Sequence, residues 1–363
     1  MYRIYPQKAI FHIDVNNAYL SWSAVELLKN GEKTDLRKIP SIIGGDQKKR
    51  RGVVLAKSTP AKQYGIQTGE TVASAKKKCS TLRIIQPDRL LYQLNSNKLL
   101  EVLCRFSSKL TPFSIDECFM EYENKDFDSI VEAAHHIRQA IYHELGFTVN
   151  IGISSNRLLA KMASDFQKPN QVHTLFDWEI EEKMWPLPVS ELFMVGQASR
   201  EKLKQKGFFT IEDIARASPA LLERILNKHG ILLNNYANGK ETEHFSSHET
   251  SKGISHSTTL PFDTSDFGYI RRILTELSEK IASRLNQKEL FFGLVSTEVK
   301  TEDFKKCSMQ KRLQTPTNDT TLICQIALEL FEQLHIEKNV RHLGIRIGLL
   351  EPPCQQISFE NEL

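Results

Sequence analysis

The tetrapeptide Ser114-Ile115-Asp116-Glu117 places two carboxylates side by side between two apolar stretches. Adjacent carboxylates repel each other, which raises the pKa of at least one of them unless a cation neutralises the pair. A third acid, Asp14, ends the apolar run of residues 10–13. If these segments are neighbouring strands, three carboxylates meet at one end of a sheet and form a ligand set for Mg²⁺. A solvated turn that binds nothing is the alternative.

Positive charge is concentrated in one part of the chain. Residues 48–89 hold eleven lysines and arginines against two acids, although the net charge of the whole chain is only +4. Because this segment lies between Asp14 and Asp116, we expect a basic surface beside the carboxylates. A basic surface next to a magnesium site indicates a polyanion as partner. A basic face that is merely solvated is the alternative.

Length and composition are those of an ordinary multidomain protein. The 363 residues, 40% hydrophobic and 25% charged, predict two to four domains. No apolar run is long enough to span a bilayer, and the first residues lack the hydrophobic stretch of a secretion signal. The six cysteines are scattered, so neither a zinc cluster nor a disulfide framework is indicated. We therefore expect a cytoplasmic protein.

Hydrophobic periodicity predicts the elements that position the acids. The predicted strands are 9–15 and 148–154, the predicted helices are 19–28, 129–145 and one from about 156, and a hairpin at 111–121 surrounds the acidic turn. These elements predict an α+β sheet covered by helices on one face. After the boundary at Trp185-Pro186-Leu187-Pro188, short helices are predicted up to residue 239. A polar linker and a second α+β unit, with helices at 269–286 and 320–334, are predicted to follow.

Three sequence blocks resemble those of a known family, the Y-family translesion DNA polymerases of the DinB/UmuC group. His12-Ile13-Asp14-Val15-Asn16-Asn17-Ala18-Tyr19 resembles the first metal motif of that family, and Ser114–Glu117 resembles the second. Residues 152–157 (Gly-Ile-Ser-Ser-Asn-Arg), Ala160-Lys161 and Lys168-Pro169-Asn170 resemble its third block. The resemblance runs in the family's order from about residue 9 to residue 350.

The resemblance implies an α+β, right-hand polymerase with palm, fingers, a helical thumb containing a helix-hairpin-helix, and a C-terminal little-finger domain. The implied boundaries are palm 1–18 and 88–178, fingers 19–87, thumb 179–245, linker 246–252, little finger 253–350 and tail 351–363. This division leaves no room for a separate exonuclease domain. Proofreading is therefore expected to be absent and fidelity low.

The reaction that the resemblance implies is template-directed addition of a deoxynucleoside monophosphate to a primer 3′ end, with release of pyrophosphate, in the bypass of DNA damage. Asp14 and Asp116 then bridge two Mg²⁺ ions, Glu117 helps to hold the catalytic ion, and the Val15 carbonyl is a further ligand. Two metal ions about 4 Å apart stabilise both the attacking and the leaving oxygen. Such a transfer depends on positioning and charge neutralisation, so it needs no protein nucleophile.

Four further residues gain roles in nucleotide binding from the resemblance. Tyr19 is the steric gate, whose ring excludes a 2′-hydroxyl. Thr59 and Lys62 stand where many relatives have a tyrosine and an arginine that contact the triphosphate, so the guanidinium fork is lost. This substitution pattern favours the UmuC-like branch of the group. Lys168 is the third triphosphate contact.

Residues for DNA and protein partners are also implied. Met194-Val195-Gly196-Gln197 resembles the hairpin of a helix-hairpin-helix, with Met194 at the usual first glycine, and makes Gly196 and Lys202 DNA contacts. Lys311 and Arg312 are implied DNA contacts of the little finger. Gln356-Ile357-Ser358-Phe359 resembles a degenerate sliding-clamp-binding tail. UmuD-like proteins or a recombinase are further partners that a UmuC-like relative implies.

Two rival functions stay open at this point. A non-catalytic DNA-binding scaffold would keep the hand shape and its salt-sensitive DNA binding without any need for Mg²⁺. A nucleotide cyclase uses a similar sheet and two metals, but a basic fingers segment and a DNA-binding thumb are superfluous for it.

Overall fold

The structure is a computed structural model that describes residues 5–45, 52–124, 127–242 and 253–352. Two compact units are present. Among the described residues, the first unit comprises 5–45, 53–124 and 127–242, and the second comprises 253–352 together with Gly52. No helix in these ranges is both long and apolar enough to cross a membrane. The domain boundaries implied by the resemblance stay predictions.

The first unit begins with the elements that carry the acids and the basic segment. In chain order they are β1 (Lys8–Val15), α1 (Ala18–Lys29), β2 (Ser41–Gly44), β3 (Val54–Lys57), α2 (Thr59–Gln63), α3 (Val72–Lys78), β4 (Arg83–Ile85), α4 (Arg89–Cys104), β5 (Leu110–Pro112), β6 (Glu117–Glu123), α5 (Ile130–Leu145), β7 (Val149–Ser154), α6 (Arg157–Asp165) and β8 (Val172–Thr174). The predicted strands, the hairpin and the helices of this part are confirmed.

Five of the described strands form one sheet in the order β5-β6-β1-β7-β8. β1 lies at its centre and pairs antiparallel with both β6 and β7, with Asp14 opposite Glu117 in the first pair. The alternation of β1 places Phe11, Ile13 and Val15 in a core shared with α1, α4 and α5. His12 and Asp14 consequently face the other side of the sheet.

Helices cover both faces of this sheet, so the predicted single helical layer is wrong. α6 packs on the face that carries His12, whose ring nitrogen Nδ1 lies 2.8 Å from the Ser164 hydroxyl oxygen. The close approach depends on Gly152 in β7, where a Cβ atom would lie 2.0 Å from the Ala160 carbonyl oxygen. The sequence pattern did not reveal this arrangement because α6 is short and is buried from Leu158 to Ser164, and its apolar residues pack against helices further along the chain.

The described part of the basic segment in this unit, from residue 53 onward, folds around a small sheet within the range 19–87 predicted for the fingers. Three of the described strands form it in the order β3-β2-β4. α1 joins this sheet to the larger one, because Trp22 and Val25 pack into the core of the five-stranded sheet while Leu20 and Ala24 pack with Ile43.

The chain continues through helices to the end of the first unit. After 3₁₀ helices at Asp177–Glu179 and Val189–Glu191 and a π-helix at Ile180–Met184, the α-helices are α7 (Gln197–Gln205), α8 (Ile211–Arg216), α9 (Pro219–Leu226) and α10 (Lys228–Ala237). Their apolar residues, among them Leu203, Ile214 and Leu233, share one core with Leu158 and Met162 of α6. The predicted helical segment is therefore confirmed, and it is anchored on the helix that covers the acidic face.

The second unit is a sheet with helices on one face. Its elements are β9 (Gly253–Thr264), α11 (Phe267–Gln287), β10 (Phe291–Thr301), β11 (Lys306–Thr317), α12 (Thr321–Gln333) and β12 (Val340–Glu351), and its described strands lie in the order β11-β10-β12-β9. Val295, Val299 and Ile345 face α11 and α12 in the core. The helices predicted at 269–286 and 320–334 are confirmed as α11 and α12, and so is the α+β character of this unit, whereas β9 was not predicted.

Candidate active site

The three predicted carboxylates lie at one end of the five-stranded sheet. Asp14 is at the end of β1, Glu117 is its partner in β6, and Asp116 precedes Glu117 in the turn. The Val15 amide donates to the Asp116 carbonyl at 3.0 Å, which ties the end of β1 to this turn. The Ser114 hydroxyl donates to the Asp116 carboxylate at 2.6 Å and fixes that side chain. The two segments that were predicted to meet do meet.

A cavity of about 570 Å³ opens beside this sheet end. It collects most of the predicted site residues, and the lining includes Asp14, Val15, Tyr19, Thr59, Lys62, Asp116 and Lys168. Glu117 is not part of the lining. The cavity therefore brings two carboxylates together with the basic residues of α2 and of the loop after α6, a combination suited to a ligand that carries phosphate and a bound cation.

Asp14 is the most electrostatically perturbed acid of the site. Burial raises its pKa to about 6, and the ammonium of Lys168, which donates to its carboxylate, opposes that rise. Lys168 also lies 2.7 Å from Asp165. Burial lowers the pKa of Lys168, but its attraction to Asp14 and Asp165 outweighs burial and holds the pKa above its ordinary value. At neutral pH the two side chains therefore form an ion pair.

Glu117 has a lysine partner of its own, which sequence reasoning did not identify. The Lys161 ammonium donates to the Glu117 carboxylate at 2.7 Å, and both side chains are largely buried, with exposures of 9% and 19%. The pair joins residues 44 positions apart in the chain. Only the tertiary packing of α6 on the sheet could reveal it.

The oxygen donors of this site fit a divalent cation in kind. Asp14, Asp116 and the Val15 backbone adjoin one cavity, and carboxylate and carbonyl oxygens are the ligands that hard divalent ions prefer. Over the ranges that the structure describes, however, no three His, Cys, Asp or Glu side chains are grouped closely enough to hold a metal ion. Glu117 is instead paired with Lys161, and Asp14 is paired with Lys168. A metal ion must therefore compete with Lys168 for Asp14.

The loop that carries Lys168 is held by two asparagines that sequence reasoning also missed. The Asn150 amide group donates to the carbonyls of Ser164 and Gln167 at 2.9 and 2.7 Å. The Asn16 side chain accepts from the Asn170 amide at 2.8 Å. These bonds fasten the loop to β1 and β7, beside Asp14, and the pair of asparagines after Asp14 in the first motif was the available signal for Asn16.

Tyr19 lies in the first turn of α1 and lines the cavity. Its ring stacks on the ring of Tyr92 with a centroid distance of 4.5 Å and an interplanar angle of 13°. The Trp22 ring lies 6.2 Å away. The gate candidate is therefore a ring held in place by aromatic neighbours at the cavity wall.

Thr59 and Lys62 are exposed residues of α2 on the basic side of the cavity. The helix starts at Ser58, whose hydroxyl accepts from the Ala61 amide at 3.1 Å. Lys57, which was not singled out from the sequence, lines the same cavity. Burial together with repulsion from Lys62 lowers the pKa of Lys57. Three lysines thus face one cavity, which is the charge pattern expected of an anion site.

The predicted DNA contacts lie outside this cavity. Gly196 caps α7, and Lys202 is an exposed residue of the same helix. Met194 has φ 72°, a left-handed conformation that favours the glycine which the motif normally has there. The element before this turn is the 3₁₀ helix Val189–Glu191, so the first helix of the predicted hairpin motif is only one turn long.

Lys311 and Arg312 lie on opposite faces of the sheet in the second unit. Lys311 stands opposite Val295 on the helix-covered face and pairs with Glu329 of α12 at 2.9 Å. Arg312 stands opposite Leu294 and is exposed on the other face. The two predicted contacts cannot therefore bind one ligand on a single face. The predicted clamp-binding residues Gln356–Phe359 lie outside the described residues.

Comparison with known proteins identifies the family. The impB/mucB/samB family matches residues 13–165, and its C-terminal domain matches residues 251–359. The chain is 44% identical over 359 residues to a DNA polymerase IV from Clostridium acetobutylicum, covering 98% of this chain and 90% of that protein. It is 34% identical over 361 residues to a DNA polymerase IV from Acetivibrio thermocellus, covering 97% and 89%.

Solved structures share the fold. A Y-family DNA polymerase chimera of Dbh and Dpo4 superimposes with a TM-score of 0.82 at 21% identity, covering 95% of this chain and 99% of the chimera. DinB from Sulfolobus solfataricus gives a TM-score of 0.59 at 20% identity, covering 94% and 98%.

Fold and sequence thus define one class of protein, the Y-family polymerases. The chain belongs to this class as a member of the impB/mucB/samB family. The family and the α+β polymerase fold predicted from the sequence are confirmed. The leaning towards the UmuC-like branch is not confirmed, because the relatives that match nearly the whole chain are DNA polymerase IV proteins.

Proposed function

We propose that this chain is a DNA-directed DNA polymerase that adds deoxynucleoside monophosphates to a primer 3′ end, including opposite damaged template positions. One observation carries the proposal: a single cavity collects two of the acids, the gate aromatic and the three triphosphate candidates. Relatives named DNA polymerase IV, similar over nearly the whole chain, support the same reaction. The predicted low fidelity belongs to this proposal.

The metal part of the proposal assigns two Mg²⁺ ions to the carboxylates of Asp14, Asp116 and Glu117 and the carbonyl of Val15. When bound, divalent ions stabilise the charge that develops on the attacking 3′ oxygen and on the leaving pyrophosphate. The chain itself holds the donor oxygens on two strands that are hydrogen-bonded to each other. Donors fixed in advance need little rearrangement when the substrate arrives.

The nucleotide part assigns the triphosphate to Thr59, Lys62 and Lys168, with Lys57 as an additional contact. Lys168 has 38% of its side chain exposed, so it can exchange Asp14 for a phosphate oxygen. The same exchange frees the Asp14 carboxylate for a metal ion. Tyr19 is proposed to exclude ribonucleotides, because its ring is supported from behind by Tyr92 and cannot easily yield.

Primer-template DNA is proposed to contact Gly196 and Lys202 in the helical segment and Arg312 in the second unit. Arg312 is favoured over Lys311 because it is exposed on the face that the helices leave open. Lys311 contributes only if its pair with Glu329 opens. A sliding clamp at Gln356–Phe359, UmuD-like or recombinase partners, and a cytoplasmic location stay predictions.

A non-catalytic DNA-binding scaffold is the second candidate, and one observation favours it. Within residues 5–45, 52–124, 127–242 and 253–352, two of the three acids, Asp14 and Glu117, are paired with lysines, and the acids are not grouped as a metal site. A scaffold would bind primer-template DNA without any effect of Mg²⁺.

Primer extension separates these functions. Purified protein with Mg²⁺ and dNTPs should extend a primer on an undamaged template and past an abasic site. Asp116→Ala should abolish extension but keep the affinity for DNA, while Asp128→Ala, which changes an exposed acid before α5, should behave as wild type. Turnover by Asp116→Ala would contradict the metal assignment. Metal-independent DNA binding without extension by any of the three proteins would favour the scaffold, and cyclic product from a nucleoside triphosphate alone would favour a cyclase.

A further inference from the structure

Lys161 is a charged residue in a buried position, with only 7% of its surface exposed. A buried ammonium is costly unless it is paired and hydrogen-bonded. Here the pairing comes from Glu117, whose carboxylate oxygen Oε1 accepts from the Lys161 ammonium at 2.7 Å. Because both side chains are buried, each charge depends on the other as its partner.

Two aromatic rings fix the same ammonium. It lies 5.2 Å from the ring centroid of Phe113 and 5.6 Å from that of Phe193, distances at which a cation is attracted to the ring face. Phe113 precedes the acidic turn, and its amide donates to the Glu117 carbonyl at 2.9 Å. The Lys161 ammonium is thus held by Glu117 and Phe113, at the two ends of the acidic turn, and by Phe193, which follows the 3₁₀ helix Val189–Glu191.

The second lysine of the site is held much less firmly. Lys168 has 38% of its side chain exposed, whereas Lys161 has 9%. Lys168 divides its charge between Asp14 and Asp165 and adjoins the open cavity. Substrate and metal can displace Lys168, but no comparable exit is available to Lys161, because the sheet, α6 and the two rings enclose it.

We propose that Lys161 is a positioning residue for Glu117. It occupies Oε1 permanently, so only Oε2 is presented to a metal ion, in one orientation. The inference rests on the proposed metal role of Glu117. Groups that hydrogen-bond a metal ligand orient that ligand, and their loss typically costs about 10–100-fold in metal affinity or activity.

The test measures binding of Mn²⁺ by electron paramagnetic resonance, with dNTP and a primer that ends in a dideoxynucleotide. Lys161→Met removes the charge but keeps the apolar stem. We expect its Mn²⁺ affinity to fall about 10–100-fold and, with an extendable primer, its kcat to fall far more than its KM for dNTP changes. Lys161→Arg restores a cation and should recover most of the lost affinity.

Lys183→Met is the matched control. Lys183 pairs with Glu179 at the same distance of 2.7 Å, and Glu179 is 2% exposed, but neither residue lines the cavity. This variant loses an ion pair of the same kind without touching Glu117, so its Mn²⁺ affinity should equal that of wild type. An equal loss of Mn²⁺ affinity in Lys161→Met and Lys183→Met would mean that Lys161 only stabilises the fold, and it would overturn the proposal.

The other outcomes are also decisive. Wild-type affinity in Lys161→Met overturns the proposal, and so does tighter Mn²⁺ binding, which would make Lys161 only a repelling charge. If Lys161→Met does not fold, Phe193→Leu decides, because it removes one ring from the ammonium without leaving a buried charge; unchanged affinity there overturns the proposal. If wild type neither binds Mn²⁺ nor extends a primer, the proposed function fails instead.

Discussion

Asp14 is held ionised at a position where the fold disfavours its charge. Burial raises its pKa to about 6, and only Lys168 opposes this effect strongly. Acids with raised pKa values beside a specific cation are concentrated at functional sites, where they lower stability in exchange for activity. The cost should be measurable in the metal-free protein.

Asp14→Asn should raise the melting temperature of the metal-free protein at pH 7. The pKa of Asp14 is near 3.8 in its ordinary state and about 6 in the folded chain. A raised folded-state pKa means that the stabilising contribution is complete below the ordinary pKa and is lost as the pH rises through about 6. The advantage of the variant should therefore grow between about pH 4 and 6 and then level off.

Melting curves in EDTA over that pH range provide the measurement. Asp128→Asn, a change at an exposed acid, is the control. A difference between Asp14→Asn and wild type that does not vary with pH would contradict the burial of this charge.

Tyr19→Ala should allow ribonucleotides to be incorporated. The Tyr19 ring lines the cavity and is backed by Tyr92, so its removal opens space at the cavity wall. The measurement is the ratio of kcat/KM for dNTP and rNTP, which should fall by a factor of at least about 10, equivalent to about 1.4 kcal/mol. Tyr142→Ala, at an exposed tyrosine on α5, should leave the ratio unchanged. Unchanged selectivity in Tyr19→Ala would refute the gate.

At the scale of elements, the position of α6 decides where two lysines act. α6 carries Lys161, and the loop that follows it carries Lys168. The helix reaches the sheet only because β7 offers Gly152 at the crossing. A shift of α6 would therefore displace the partners of two carboxylates at once.

Gly152→Ala should both destabilise the protein and impair extension. The new Cβ would lie 2.0 Å from the Ala160 carbonyl oxygen and 2.4 Å from the Ser164 nitrogen, so the helix must move. Overpacking of this kind costs about 1–3 kcal/mol, which urea denaturation can measure. Gly196→Ala is the stability control, because no atom lies within 4 Å of its added Cβ and its φ of −78° suits alanine. Equal stability of the two variants would contradict the close packing.

The register of β11 places Lys311 and Arg312 on opposite faces of the sheet, so we expect only Arg312 to contribute to DNA binding. Arg312→Ala should weaken binding of primer-template DNA and lower the slope of log affinity against log salt by about one unit. Lys311→Ala should change neither quantity, since Lys311 pairs with Glu329 on the helix-covered face. Fluorescence anisotropy across a salt series tests both variants. Equal effects would show that the pair with Glu329 opens when DNA binds.

Sequence patterns predicted the elements whose burial alternates regularly and missed those that mix buried polar and exposed apolar residues. In α4, Asn95 and Ser96 are buried while Leu90 is 80% exposed and Leu94 is 57% exposed, which conceals the helical stripe. β9 is largely polar and contains Pro261, a residue that argues against a strand unless it lies at an edge. β9 is an edge strand of the described sheet, so the proline is tolerated.

The carboxylates of the site could be predicted because their spacing forms short motifs, but their partners could not. Lys161 and Glu117 are 44 positions apart, and Lys168 and Asp14 are 154 apart. Such pairs depend on which helix crosses which strand. If all helices had covered one face of the sheet, as the sequence predicted, α6 would not lie on the face of Asp14 and Glu117. These two acids would then lack Lys161 and Lys168 as partners.

At the scale of the whole molecule, two of the three acids of the site have a lysine partner without a metal ion. EDTA should therefore leave the melting temperature unchanged to within about 2 °C, since Lys161 and Lys168 already neutralise two of the acids. Scanning calorimetry in EDTA and in excess Mg²⁺, at about physiological salt, is the measurement. A large fall on chelation would mean that metal binding contributes to folding, as it does in structural metal sites.

The outer strand of the second unit has a further consequence for the molecule. β11 is a 12-residue edge strand of the described sheet, and such edges present unpaired backbone groups to any passing chain. Lys306, Lys311, Arg312 and Pro316 lie along it. Charges and a proline obstruct the addition of another strand, so they protect separate copies from aggregating edge to edge. Replacing these cations to study DNA binding would therefore also reduce the solubility of the protein.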